Sequence, residues 1–140
     1  MATHDLLSEG DRPDDYSFAF FEKTLTGHSS VRQFERKPAE GQYYNVHRTR
    51  DDILLVYLSD LYTIGEADYL HMVGEDPNID CIVTASVYNS YTADAKTRAV
   101  ADRIGLFNIR EFLGALNRER FWEYTSPPRD KSARTKRRSA

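Results

Sequence analysis

The stretch from Ile53 to Leu116 alternates apolar strand patterns with amphipathic helix patterns three times, and this order constrains the fold more than any other feature of the chain. Residues 53–58 (ILLVYL) and 79–85 (IDCIVTA) are nearly continuous runs of β-branched, aromatic and other apolar residues. Such runs are typical of strands that are buried on both faces of a sheet covered by helices. The sequence therefore predicts a three-layer α/β domain, with a central mixed sheet of about five strands flanked by helices.

Weaker patterns predict further helices and strands along the chain. Asp14 or Asp15 is expected to cap a first helix, in which Phe18, Phe21 and Leu25 recur at helical spacing and which Gly27 ends. Further strands are predicted at 31–36, 43–48 and 106–109, and further helices at 64–73, 93–104 and 111–117. Gly105 is expected to end the helix that precedes the last strand. In the 64–73 helix, the residues expected to face the sheet are Ile64, Ala67, Leu70 and Val73.

Length and composition indicate one soluble domain. The chain has 140 residues, enough to bury a substantial core, and we expect the domain to span residues 14–125 after a flexible acidic segment at 1–13. The single cysteine, Cys81, lies inside an apolar run, so we expect it to be buried and the protein to be cytoplasmic. No apolar run approaches the roughly 20 residues that span a bilayer, so no contact with a membrane is expected.

Charge is distributed unevenly along the chain. The formal net charge is −3, yet the segment 126–140 alone carries six basic side chains and one acidic side chain. We expect this segment to be disordered, because it has no apolar periodicity, with Pro127-Pro128 at the border of the fold. Its basic residues are the predicted nucleic-acid contacts: Arg129, Lys131, Arg134, Lys136, Arg137 and Arg138. The alternatives are a tail that only improves solubility, or one that rests on the acidic N-terminal segment of its own chain.

Polar residues follow the two central strand patterns and lead into the next helix. Because ligands of open α/β sheets bind at the carboxyl ends of strands, these residues form a predicted pocket for a nucleotide or another small molecule. The predicted pocket residues are Ser59, Asp60, Ser86, Asn89, Ser90 and Thr92. The helix start at Thr92 could also favour an anion, but the glycines of a phosphate-binding loop are missing, so a structural cap is the simpler interpretation.

Several short segments in the second half of the chain carry a family resemblance. They are IVTAS (82–86), TADAK (92–96), Ala99, IGLF (104–107) and EFL (111–113). A late strand that ends in a Thr or Ser pair, a helix start of the T-x-E-A type, and a following short strand and helix resemble the restriction-endonuclease-like PD-(D/E)xK fold, most closely its Mrr-type branch. The resemblance covers roughly residues 79–116 and implies the three-layer fold given above.

The predicted third strand departs from that family. Its nucleases hold Mg²⁺ with an acid near the end of the second core strand and an E-x-K or Q-x-K on the third, where the lysine helps to activate water. The third strand here reads LVYLS at 55–59, with neither a carboxylate nor an amine. If the acids have migrated, the candidates for a Mg²⁺-dependent nuclease are Asp51, Asp52, Asp60 and Glu66. The leading hypothesis is instead a non-catalytic protein without a cofactor, which contacts nucleic acid through the basic tail or contacts a protein partner.

Three large aromatic residues lie close together between the last predicted helix and Pro127. The segment 121–124 reads FWEY. Trp and Tyr are enriched in protein interfaces, and large aromatics also close the ends of cores. The segment therefore predicts either a seal at the edge of the core or a homodimer contact through Phe121 to Tyr124.

Overall fold

A mixed sheet of five strands forms the centre of the structure, a computed structural model that describes residues 12–38, 41–86 and 88–125. The strands in chain order are β1 (Val31–Arg36), β2 (Tyr43–Arg48), β3 (Ile53–Ser59), β4 (Thr63–Ile64), β5 (Cys81–Thr84), β6 (Ser90–Tyr91) and β7 (Gly105–Asn108). The five-stranded sheet has the order β1-β2-β3-β5-β7. Its β1–β2 and β2–β3 pairs are antiparallel, whereas its β3–β5 and β5–β7 pairs are parallel.

Four α-helices of the described ranges flank this sheet. They are α1 (Asp15–Thr26), α2 (Glu66–Glu75), α3 (Ala93–Ala101) and α4 (Ile109–Ala115). Residues of α1 and α4 pack in one core cluster on one face, and residues of α2 and α3 pack in a second cluster on the other face. The predicted three-layer α/β fold is therefore confirmed.

The first helix and the two strands after it follow the sequence patterns closely. Asp14 caps α1 by accepting a hydrogen bond from the Ser17 N–H at 2.8 Å, and the buried side chains of α1 are the predicted Phe18, Phe21 and Leu25. The helix ends before Gly27, and β1 and β2 have the predicted bounds. Capping chemistry and hydrophobic periodicity therefore determine this part of the fold.

The second helix differs from its prediction in both bounds and orientation. Thr63–Ile64 form β4, which pairs in parallel with Ser90–Tyr91 of β6, and α2 begins only at Glu66. Its buried residues are Tyr69 and Met72, whereas the predicted Ala67 and Leu70 are exposed. The predicted Val73 is partly buried against the same core cluster, and the predicted Ile64 is buried in β4. Burying a tyrosine and a methionine removes more apolar surface from water than burying an alanine and a leucine. The Tyr69 hydroxyl also donates to Asp102 beside α3 at 2.7 Å, which fixes this orientation.

The bounds around β7 were also predicted wrongly. Helix α3 ends at Ala101, three residues before the predicted end, and Gly105 begins β7 instead of ending the helix. A Cβ atom at Gly105 would clash with the Phe107 ring, so glycine is required here by close packing rather than by a helix end. Helix α4 begins at Ile109, because Asn108 caps it by accepting from the Glu111 N–H at 2.8 Å.

The two central strands are not equally covered. All residues of β5, including Cys81, are buried, as predicted. Strand β3 alternates instead, and Ile53 at its start is 55% exposed. On the face of the sheet that carries α2 and α3, the core cluster includes Ile82 of β5 and Leu106 of β7. These two helices therefore leave part of the surface formed by β1, β2 and β3 uncovered. In the ranges that the structure describes, no helix is long and apolar enough to cross a membrane.

Candidate functional site

A cleft of about 440 Å³ opens at the carboxyl ends of β3 and β5, on the face that carries α1. The strand ends contribute Asp60, Ala85, Ser86 and Tyr88, and the start of α1 contributes Asp14, Tyr16, Ser17 and Phe20. We call this site the strand-end cleft. It brings together two of the predicted pocket residues, Asp60 and Ser86, with four side chains of α1 that were not predicted to belong to it.

Asp60 is the partly buried acid of the strand-end cleft. The Asn89 side-chain amide donates to the Asp60 carbonyl oxygen at 3.2 Å and to its carboxylate Oδ1 at 3.3 Å. Burial raises the pKa of Asp60 above its ordinary value of 3.8; the hydrogen bond from Asn89 opposes this rise, and the charge of Asp14 adds to it. The two carboxylates therefore act on each other, and both line the same cleft.

Asp14 contributes charge and Tyr16 and Phe20 contribute aromatic surface. The Ser17 N–H holds the pKa of Asp14 below its ordinary value, so this carboxylate stays ionised at neutral pH. The rings of Tyr16 and Phe20 are separated by 6.4 Å between centroids and inclined by 15° to each other. They lie beside the buried stripe of α1, which is why helical periodicity alone excluded them from the core.

The other four predicted pocket residues have structural partners. Ser59 is fully buried and its hydroxyl oxygen accepts from the Leu61 N–H, whereas the Asn89 amide donates to Asp60. Ser90 lies in β6 and Thr92 caps α3 by accepting from the Ala95 N–H at 3.1 Å. The structural interpretation of the Thr92 helix start therefore accounts for its contacts.

The four candidate metal-binding acids do not lie close enough together to share a metal ion. Asp51 and Asp52 precede the seven-residue strand β3 and Asp60 follows it, which separates them by more than about 20 Å. Asp51 pairs with Arg32 at 3.0 Å, and Asp52 accepts from Arg48 at 2.8 Å. Glu66 lies in the first turn of α2, where Arg98 donates to it at 3.4 Å. Among the described residues, no three His, Cys, Asp or Glu side chains form a group that could hold a metal ion.

Aromatic and amide side chains occupy the part of β2 and β3 where the family resemblance would place catalytic groups. The rings of Tyr43 and Tyr57 lie 5.0 Å apart, and Leu55 lies opposite Asn45 in the register. The Gln42 amide donates to the Tyr57 hydroxyl at 3.2 Å. These side chains offer contact surface and hydrogen bonds, but no carboxylate and ammonium pair.

A second surface surrounds the short 3₁₀ helix Phe121–Glu123, just before the basic segment 126–140. The guanidinium carbons of Arg103 and Arg120 lie 5.9 Å and 5.8 Å from the centre of the Trp122 ring. Arg118 lies 5.2 Å from the centre of the Tyr124 ring. We call these five residues the arginine–aromatic surface. Arg120 also forms an ion pair with Glu123 at 2.7 Å, so Arg103 and Arg118 contribute most of its positive charge.

The arginine–aromatic surface is attached firmly to the fold. Phe121 is 7% exposed and belongs to the core, which confirms that this segment seals the core edge. The Lys96 ammonium donates to the carbonyl oxygens of Leu106 and Tyr124 at 2.8 Å and 3.2 Å. Burial lowers the pKa of Lys96, and these two acceptors replace the water that it loses. The predicted homodimer contact through this segment stays a prediction, and the six predicted basic contacts at 129–138 lie outside the described residues.

Comparison with known proteins adds no relative to this picture. No protein-family model matches the chain, and neither a search of curated proteins nor a search of solved structures found a match.

Proposed function

We propose that this protein is a non-catalytic binding protein that contacts nucleic acid through its C-terminal region. In this proposal the basic segment 126–140 neutralises backbone phosphates, and the arginine–aromatic surface extends the contact onto the folded domain. The degenerate form of the restriction-endonuclease-like fold, to which the chain shows a resemblance in sequence, is the proposed scaffold.

The observation that carries the proposal is the position of Arg103, Arg118 and Arg120 on the rings of Trp122 and Tyr124, directly before the basic segment. An arginine that stacks on an aromatic ring keeps the outer edge of its guanidinium available for phosphate oxygens. Aromatic rings between arginines can also stack on bases of single strands. The surface thus offers both kinds of contact that nucleic acid requires.

The arrangement of the acids supports a binding function over cleavage. Two-oxygen coordination of Mg²⁺ near an activated water requires carboxylates within a few ångströms of each other, typically with metal–oxygen distances of about 2.1 Å. Asp51 and Asp52 lie at one end of β3 and Asp60 at the other. Asp51 and Asp52 also form ion pairs with arginine side chains, and the Arg48 partner of Asp52 is buried.

Fluorescence anisotropy with labelled DNA and RNA of mixed sequence tests the proposal. A full-length variant with all six basic residues of 126–140 changed to glutamine is expected to bind at least about tenfold more weakly at low salt. Combining Arg103→Gln with Arg118→Gln is expected to weaken binding by a smaller factor. The matched control combines Lys23→Gln with Arg32→Gln, which changes the net charge equally at exposed positions of α1 and β1.

The outcomes are clearly separated. Weaker binding by the glutamine-tail variant and by the Arg103/Arg118 pair, with near-normal binding by the control pair, supports the proposal. Equal affinity of the wild type and the glutamine-tail variant contradicts it. Trp122 is the only tryptophan of the chain, so a change in its fluorescence on binding independently reports contact at the arginine–aromatic surface.

A further inference from the structure

The strand-end cleft has aromatic walls that are largely open to water. Tyr16 is 77% exposed, Tyr88 is 81% exposed and Phe20 is 38% exposed. Each of these side chains lines the same cleft of about 440 Å³, together with the buried Ala85. Single exposed apolar residues are ordinary, but three aromatic rings around one concave site are typical of a contact surface.

The charges of the strand-end cleft select the kind of group that can enter it. Its described lining contains the carboxylates of Asp14 and Asp60 and no basic side chain. A phosphate or another anion would meet two negative charges at this site, whereas a cation would gain from both. Aromatic rings attract cations in the same way, because the face of each ring carries partial negative charge.

We propose that the strand-end cleft receives an arginine side chain from a protein partner. The apolar stem of the arginine would pack against Phe20 and Ala85, and its planar guanidinium would stack on Tyr16 or Tyr88 while donating to Asp60 or Asp14. Arginine fits this combination better than a compact ammonium group, because its planar head both stacks and donates several hydrogen bonds in one plane. The inference goes beyond the proposed function, since it concerns a different surface and a partner of the opposite charge.

A titration followed by nuclear magnetic resonance tests this inference on the full-length protein. The probe is a capped five-residue peptide with arginine at its centre, flanked by glycine and serine. The matched probe carries citrulline, which has nearly the same shape and no charge. The arginine peptide is expected to shift the amide signals of Ser17, Ser86 and Tyr88, and the citrulline peptide is expected to bind about tenfold more weakly, because it lacks the charge-assisted hydrogen bonds.

Two substitutions separate the contributions of charge and aromatic surface. Asp60→Asn keeps the size of the side chain and the oxygen that accepts from Asn89, and it is expected to weaken binding of the arginine peptide about fivefold. Tyr88→Leu keeps an apolar side chain without a ring, and it is expected to weaken binding of the arginine peptide about threefold. Glu119→Gln removes an exposed acid in the loop after α4 and serves as the control, with an unchanged affinity expected.

Each remaining outcome decides against the inference. Equal shifts with the arginine and citrulline peptides, or equal weakening by Asp60→Asn and Glu119→Gln, would show that no specific cation site exists in the cleft. If the glutamine-tail variant binds the arginine peptide several-fold more tightly than the wild type, the occupant is the basic segment of the chain itself and not a protein partner. Thermal unfolding of each variant shows whether it is folded under the titration conditions.

Discussion

The guanidinium of Arg48 donates two hydrogen bonds to the carboxylate of Asp52, and it also donates to the carbonyl oxygens of Leu116 and Arg118 beyond the end of α4. The Arg48 side chain is only 1% exposed. This arrangement connects the turn before β3 to the chain that leads into the arginine–aromatic surface. Asp52, a candidate metal ligand on sequence grounds, therefore has a structural partner on each of its carboxylate oxygens.

Breaking this pair is expected to destabilise the fold. Arg48→Met leaves the carbonyl oxygens of Leu116 and Arg118 and the Asp52 carboxylate without their donor, and we expect it to lower the free energy of unfolding by about 3 kcal/mol. Urea denaturation, followed by Trp122 fluorescence, measures this change. Asp51→Asn is the control, because the Arg32–Asp51 pair is largely exposed and asparagine tolerates the φ of 71° at this position. A loss below about 0.5 kcal/mol in both variants would contradict the role given to Arg48.

The stability contributed by Asp52 is expected to depend on pH. The hydrogen bonds from Arg48 lower the pKa of Asp52 below its ordinary value of 3.8. Because the folded-state pKa is lowered, the contribution is fully present above the unfolded-state value and is lost as the pH falls through the folded-state pKa. Asp52→Asn should therefore be less stable than the wild type at pH 7, and the difference should shrink below about pH 4. A difference that is constant from pH 7 to pH 3 would show that the charge of Asp52 is irrelevant.

Replacing Asp80 is expected to change the free energy of unfolding in the opposite direction from replacing Asp52. Burial raises its pKa above 3.8, although its carboxylate accepts from the Leu55 N–H at 2.8 Å. The ionised form is thus less favourable in the folded state, so Asp80→Asn is expected to increase the free energy of unfolding at pH 7. This gain should disappear as the pH falls below about 4, where the wild-type carboxyl is also neutral. Denaturation curves at pH 7 and pH 3 measure it, and a gain that grows on acidification would contradict the assignment.

Gly105 is expected to be intolerant of a side chain. A Cβ atom there would clash with the Phe107 ring and lie 3.1 Å from the Cys81 sulfur. We expect Gly105→Ala to lower the free energy of unfolding by about 2–3 kcal/mol, since Phe107 is fully buried and has little room to move. Gly27→Ala is the control, because no atom beyond its two chain neighbours lies within 4 Å of a Cβ at this position. Equal stability of the two variants would contradict the packing around β7.

Cleavage of nucleic acid is expected to be absent. With Asp51 and Asp52 at the far end of β3 from Asp60, neither Mg²⁺ nor Mn²⁺ should support hydrolysis of plasmid DNA, single-stranded DNA or RNA. Gel analysis after prolonged incubation with purified protein tests this expectation. Metal-dependent cleavage that Asp52→Asn or Asp60→Asn abolishes would establish the nuclease alternative instead.

The fold was predictable where local chemistry determines it. The strand bounds of β1 and β2, the Asp14 cap and the buried stripe of α1 all follow from alternation, capping and helical spacing. The rotation of α2 did not follow, because the choice between Tyr69 and Leu70 as the buried residue depends on the distant Asp102. Gly105 was assigned to a helix end for a similar reason, since the closeness of Phe107 and Cys81 is a property of the assembled sheet.

The strand-end cleft was predictable in position but only partly in composition. Asp60 and Ser86, which were predicted from the carboxyl ends of β3 and β5, both line the cleft, because parallel strands place their ends along one edge. Asp14, Tyr16, Ser17 and Phe20 come from a helix that is distant in sequence, and only the assembled fold brings them to that edge. One signal was available: Tyr16 and Phe20 are large aromatics outside the buried stripe of an amphipathic helix.

The salt dependence of DNA binding tests the central claim most directly. For double-stranded DNA, each phosphate that the chain neutralises adds about −0.9 to the slope of log K against log salt concentration. If the six basic residues of 126–140 each contact a phosphate, the glutamine-tail variant should show a slope smaller in magnitude by about 5 than that of the wild type. Parallel lines with the same slope for both proteins would show that the C-terminal segment does not contact the nucleic-acid backbone.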